Sequence, residues 1–187
     1  NNKMKASVEE YKGFYIGRYE ISHDATGGVQ SKKNKNPWMS IELGNSMTDL
    51  SGGIVQKIRN MYKESDAIKG KAVSTLVYGV CFDETIRFLK TNEKYKEIDI
   101  KSYGFGNYRT DNVIPTGSND EYALNNIYDI AGNVYEWTME SYGASSRIFR
   151  GGSCAIVFVE ISISTRQSGN PSNLYQNVGS RMQLYIK

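Results

Sequence analysis

Histidine and cysteine are scarce in this chain. His23 is the only histidine among 187 residues, and Cys81 and Cys154 are the only cysteines. One imidazole removes most zinc, hydrolase and general-base schemes, which rest on histidine near neutral pH. Two cysteines far apart in sequence make neither a disulfide framework nor a metal site, and they leave the redox compartment open. Long apolar runs are missing as well. Nothing approaches the roughly 20 residues that a membrane-spanning helix needs, and no signal-peptide pattern is visible, so direct membrane insertion is not expected. Because the chain starts without Met, the sequence reads as a processed or excised piece of something longer. Charge of one sign is also missing. The 23 basic and 20 acidic residues are interspersed, with no basic helix or zinc pattern, so a nucleic-acid partner is not expected. Lys32-Lys33-Asn34-Lys35 reads as a solvated loop.

What the chain does have is tyrosine, 14 residues, and glycine, 18 residues. Tyrosine serves cores and recognition surfaces alike. A hydrophobic content of 39% suffices for one core at this length. The expectation is one domain over 11–187, with the polar stretch 1–10 as a frayed tail or linker. Tyr11 to Ser22 reads as a bent strand, and His23 to Asn36 as a polar loop or hairpin closed by Pro37 and a buried Trp38. His23 reads as exposed or hydrogen-bonded rather than catalytic.

Apolar residues at Ile54, Ile58, Met61 and Tyr62 predict a helix over 47–63, with Ser46, Asp49 or Ser51 as caps. Ser65 to Thr75 reads as a polar connection. A second helix is predicted over 80–90, with Phe82, Ile86 and Leu89 on one face and Cys81 as a buried apolar side chain. Tyr95 to Tyr122 is long and irregular, which points to a binding or packing role. Met182 to Ile186 alternates as a closing strand with Met182, Leu184 and Ile186 on one face. There is no βαβ alternation, so the class is α+β.

The most informative stretch is Leu124 to Thr138, LNNIYDIAGNVYEWT. Asn, Asp and Gly tolerate left-handed backbone, so a tight turn is predicted at Gly132-Asn133, followed by a strand from Val134 that places Trp137 against a core. Glu136 has three uses open to it: pairing with an arginine, capping loop amides, or holding a hard cation with the carbonyls of Gly132 and Val134. Phe149–Ser153, FRGGS, predicts a short strand ending in a glycine turn, and Asn177–Arg181 reads NVGSR.

NIYDIAGNVYEWT, FRGGS and NVGSR in this order resemble the formylglycine-generating enzyme and sulfatase-modifying-factor family. Its usual run is N-x-x-D-x-x-GNVWEW, then RGGSW, then GFR. The resemblance covers most of the chain from Tyr11 on. It implies a C-type-lectin-type fold with two helices, short antiparallel strands and much irregular structure. The family's active site uses two cysteines shortly after the RGGS turn, and at those places this chain has Ile156 and Ile161. Without a thiolate pair, copper and oxidative chemistry have no ligands, so the expectation is that the protein is not an enzyme. No cofactor is expected, with a structural calcium on Gly132, Val134 and Glu136 as the exception left open.

The closing part is similar to the variable proteins of diversity-generating retroelements, which share this fold. In them the stretch between RGGS and GSR or GFR is rewritten by adenine-directed mutagenesis and displayed as a ligand-binding face. NVGSR, with Ser180 in place of Phe, matches the ending of gut-derived members. The resemblance implies a variable region over 154–177, a protein or glycan ligand on a host or neighbouring cell, and display on a phage tail or bacterial surface. Candidate contact residues are Ala155, Ile156, Val157, Phe158, Val159, Ile161, Ile163, Thr165, Gln167, Ser168, Asn173 and Tyr175, with Phe158 and Tyr175 as aromatic anchors. The apolar run from Ala155 to Ile163 reads equally as a buried strand. Arg166, paired with a carboxylate, and Pro171, in a fixed turn, are assigned to the scaffold. The alternatives are a formylglycine-generating-type oxidase and a calcium-dependent glycan-binding lectin.

Overall fold

The computed structural model describes residues 2–62, 70–157 and 162–187. The chain opens with helix α1 (Asn2–Tyr11), where a frayed tail was expected. Lys, Met, Ala and Glu favour helix here, and Met4, Ser7 and Val8 recur at helical spacing. Met4 and Ser7 are buried and Val8 packs on the core, so the segment belongs to the domain. Strands β1 (Tyr15–Ile16), β2 (Ser22–His23) and β3 (Val29–Gln30) follow. The bent strand is thus two short pieces, and β2 and β3 form the expected hairpin. Pro37 is buried, but Trp38 is only half-buried, edge-on to His23 and beneath the Lys57 ammonium.

Helix α2 (Gly53–Asn60) is shorter than expected. Ser46 and Asp49 use their side chains in the preceding turns: Ser46 Oγ accepts from the Asp49 amide (3.0 Å), and Asp49 Oδ1 accepts from the Ser51 amide (2.9 Å). Gly53 then enters the helix at φ +61°, where a Cβ would meet the Glu42 carbonyl at 2.4 Å. Strand β4 (Ala72–Leu76) lies inside what reads as a polar connection. Helix α3 (Gly79–Lys90) matches expectation: Cys81, Phe82, Ile86 and Leu89 are buried and Phe88 is exposed. The irregular stretch up to Tyr122 contains only short 3-10 turns. The last strands are β5 (Ala123–Leu124), β6 (Ile127–Tyr128), β7 (Tyr135–Tyr142), β8 (Ser146–Arg150), β9 (Gln167–Gly169), β10 (Val178–Ser180) and β11 (Met182–Ile186). Strand β7 runs past Thr138 to Tyr142.

Two sheets organise the chain. One has the order β1-β11-β4 and the other β10-β7-β8-β9. The first sheet divides the core. On one side, Tyr185 and Val77 join α1 and α3 in a cluster with Phe82, Leu89 and Ile163. On the other, Leu76 and Met182 join α2 in a cluster with Trp137 and Phe149. Among the described residues no helix is long and apolar enough to cross a membrane.

Candidate functional site

The three motifs that carry the resemblance meet in one frame. Gly132 (φ +77°) and Asn133 (φ +57°) form the left-handed turn that their residue types predict. A Cβ on Gly132 would lie 2.4 Å from the Asn107 carbonyl. Asn133 knots the frame. Its Nδ2 donates to Glu20 Oε2 (2.7 Å), its Oδ1 accepts from Asn107 Nδ2 (3.0 Å), and its carbonyl accepts from the Cys154 amide (2.9 Å). The FRGGS turn closes against Tyr108, whose hydroxyl donates to the Gly151 carbonyl (2.6 Å). A Cβ on Gly152 would strike that ring at 2.7 Å, so the site of closest approach needs glycine.

Arg181 of NVGSR is fully buried. Its Nε and Nη2 donate to Glu136 Oε1 at 2.8 and 2.6 Å, and further bonds reach the Gly17 carbonyl (2.8 Å) and the Tyr128 carbonyl (2.7 Å). Of the uses open to Glu136, the structure takes the ion pair. Glu20, Asp129 and Glu136 are all buried around this one guanidinium. Burial pushes all three up from the usual range, Glu20 most, and repulsion from neighbouring carboxylates adds to the rise at Glu20 and Glu136. Among the described residues Glu136 Oε2 and Asp129 Oδ1 have no partner. Gly132, Val134 and Glu136 therefore offer one free carboxylate oxygen beside a guanidinium, a poor fit to the about six to eight oxygens that calcium takes. Among the described residues no three acidic, histidine or cysteine side chains are grouped to hold a metal ion.

A second charge cluster sits where 154–177 leans on the scaffold. Arg150, fully buried, donates to Asp83 Oδ1 (2.6 Å) and Glu140 Oε2 (3.2 Å). Its guanidinium lies 4.8 Å from the Phe82 ring centre. Arg166, exposed, uses the other oxygen of each carboxylate, at 2.9 and 2.6 Å. The carboxylate pairing expected of Arg166 is observed. Pro171 is buried, and its carbonyl accepts from the Leu43 amide (2.9 Å).

Between these anchors the candidate contact residues divide. Ala155 and Val157 are exposed, while Ile156 is half-buried against the α3 side of the core. Arg109, at φ +61°, holds the Val157 carbonyl through Nε (3.2 Å). Phe158, Val159 and Ile161 lie outside the described residues. Ile163 is a correction: it is fully buried in the α3 cluster, because the Ser162 hydroxyl bonds the Asp99 carbonyl and turns the next side chain inward. Thr165 is half-buried, and Gln167 and Ser168 are exposed on the edge strand β9. Asn173 is exposed.

Tyr175 is a second correction. Its ring packs edge-on to Trp137 (5.6 Å between centres) and near Phe149 (5.9 Å), and its hydroxyl accepts from the Asn170 amide (3.0 Å). It supports the face from below instead of projecting from it. Leu174, absent from the expected set, is 58% exposed. One apolar residue inside the polar run NPSNLYQN was the signal for it. Arg109, Asp83 and Glu140 lie far from the segment in sequence and carried no signal.

Residues 93–184 match the family described as sulfatase-modifying factor enzyme 1-like domain. No curated protein sequence matches the chain. Among solved structures, PvdO from Pseudomonas aeruginosa is 13% identical, with a TM-score of 0.52 over 98% of this chain and 76% of that one. The crystal structure of CarF is 19% identical, with a TM-score of 0.50 over 62% of this chain and 49% of that one. Treponema denticola variable protein 1 is 15% identical, with a TM-score of 0.45 over 96% of this chain and 65% of that one. The chain thus spans about half the length of CarF. The α+β, C-type-lectin-type architecture expected from the motifs is the one observed.

Proposed function

We propose that this chain, whose residues 93–184 match the family described as sulfatase-modifying factor enzyme 1-like domain, is a non-catalytic recognition protein with its binding face between residues 154 and 177. The supporting observation is the contrast along that segment. Arg150 and Arg181, just outside its two ends, are fully buried and paired. Between them Ala155, Val157, Gln167, Ser168, Asn173 and Leu174 are exposed. A rigid scaffold whose buried arginines are paired within it can carry many side-chain sets on such a face, and mixed apolar and amide side chains suit recognition.

The finer reading is that a retroelement diversifies this face and that it is displayed on a phage tail or bacterial surface. The ligand is then a protein or glycan on a host or neighbouring cell. Sequencing the DNA around the gene tests this. The expected result is a reverse transcriptase gene and an imperfect copy of the segment encoding 154–177, with differences confined to template adenines. A locus with neither contradicts the retroelement.

Cys154 supports a non-catalytic reading. It is buried, and burial raises its thiol, which disfavours the thiolate needed as nucleophile or copper ligand. Incubation with a cysteine-containing peptide, copper and oxygen should yield no aldehyde. Turnover abolished by Cys154→Ser would establish the oxidase instead.

A further inference from the structure

The sheet β1-β11-β4 has an apolar face that its helix only half covers. Tyr15 pairs with Leu184, and Leu184 with Ser74, so these three share one face. Helix α2 lies over the Ser74 end, where the Ser74 hydroxyl donates to the Ile58 carbonyl (2.6 Å). Eight residues make a helix only about 12 Å long, and α2 stops at Asn60. Beyond it the face continues through Leu184, Ile186 and Ala72, all half-buried. They form the floor of an open groove of about 730 Å³.

Its walls are Tyr15, Tyr19 and Tyr62. Tyr15 is 64% exposed. Every side-chain bond that these three tyrosines could make through their hydroxyls is unused among the described residues, so three donors are available. Two cations also line the groove, Arg18 and Lys71, and among the described residues no acidic residue does. Both cations are exposed, and neither forms an ion pair among the described residues. Elsewhere the exposed Lys33 and Arg166 have carboxylate partners. The volume lies within the about 300–1,000 Å³ typical of small-molecule clefts, which combine an apolar lining with a few polar groups.

We propose that this groove binds a small amphipathic anion, with a flat aromatic or branched aliphatic body and one carboxylate, sulfonate or phosphate group. The body lies on Leu184 and Ile186 between the tyrosine rings, and the anionic group meets Arg18 and Lys71. Among the described residues the groove shares no lining residue with 154–177, so this second site stands or falls independently of the recognition face.

The probe is 8-anilinonaphthalene-1-sulfonate, titrated into the intact chain and followed by fluorescence and thermal unfolding. Saturation at one probe per chain with a raised Tm is expected. Joint Arg18→Gln and Lys71→Gln substitution should weaken the probe roughly tenfold, by loss of the charge attraction, while leaving the uncharged N-phenyl-1-naphthylamine unchanged. Tyr15→Ser should weaken both probes. Non-saturating binding, an unmoved Tm, or equal affinity in all variants overturns the proposal. So does a concentration-dependent dimer that excludes the probe, which would assign the groove to a second copy of the chain.

Discussion

Arg150 and Arg166 grip the same two carboxylates from opposite sides. Asp83 gives one oxygen to each arginine, and Glu140 does the same. The buried arginine belongs to the FRGGS strand and the exposed one to the segment 154–177, so one cluster joins scaffold to face. The two should differ sharply on removal. Arg166→Ala is expected to cost about 0.5–1 kcal/mol, as exposed pairs do. Arg150→Ala also removes a buried contact with Phe82 and leaves its cavity unfilled, and is expected to cost about 3 kcal/mol. Urea unfolding measures both.

The acid cluster around Arg181 makes stability depend on pH. Glu20, Asp129 and Glu136 have folded values raised above their unfolded ones, burial being the first cause. Groups shifted this way contribute stability fully below their unfolded values and lose it as pH rises through the folded ones. The urea midpoint should therefore fall as pH is raised from about 5 to about 8. Glu20→Gln keeps an acceptor for Asn133 and should flatten that slope. Asp49, held down to about 2 by Ser51 and Asn45, acts in the opposite sense and only at the acid end.

Calcium should not stabilise the domain. Arg181 already pairs with Glu136 through Oε1, which leaves a single carboxylate oxygen where calcium takes about six to eight oxygens. The Tm measured with excess calcium and with a chelator should agree. A calcium-linked rise would instead show that the loop carbonyls near Gly132 and Val134 rearrange to bind it.

Tyr175 should behave as a support and not as an anchor. Tyr175→Phe loses the acceptor for the Asn170 amide and should cost about 1 kcal/mol. Tyr175→Ala empties the space beside Trp137 and Phe149 and should cost about 3 kcal/mol. Double-mutant cycles with Phe149 check the packing part.

Much of the scaffold is legible in the sequence because turn chemistry is local. The left-handed Gly132-Asn133 turn, the buried Trp137, the helix around Phe82 and the pairing of Arg166 all follow from residue type and spacing. Other parts depend on tertiary partners. Strand β4 is hidden by Ser74 and Thr75, which look like a polar connection. Both are buried, and Ser74 bonds the Ile58 carbonyl from outside its own strand. Helix α1 is hidden by its polar composition, since its few apolar residues suffice once β11 is beside them. Within the candidate face, apolar character alone misplaces Ile163. What turns it inward is the bond from Ser162 to the Asp99 carbonyl, and no local pattern encodes that contact. Leu174 shows the converse, an apolar residue left outside because Pro171 and Tyr175 fix the backbone on either side of it.

The central claim is that a self-sufficient scaffold carries a replaceable face. The most direct measurement is the unfolding free energy of a chain substituted together at Ala155, Val157, Gln167, Ser168, Asn173 and Leu174, set beside that of Ile163→Ala. The account predicts a change within about 0.5 kcal/mol per site for the first, and a loss of about 2–5 kcal/mol for the second. A multiply substituted chain that unfolds, or loses as much at each site as Ile163→Ala does, would contradict it.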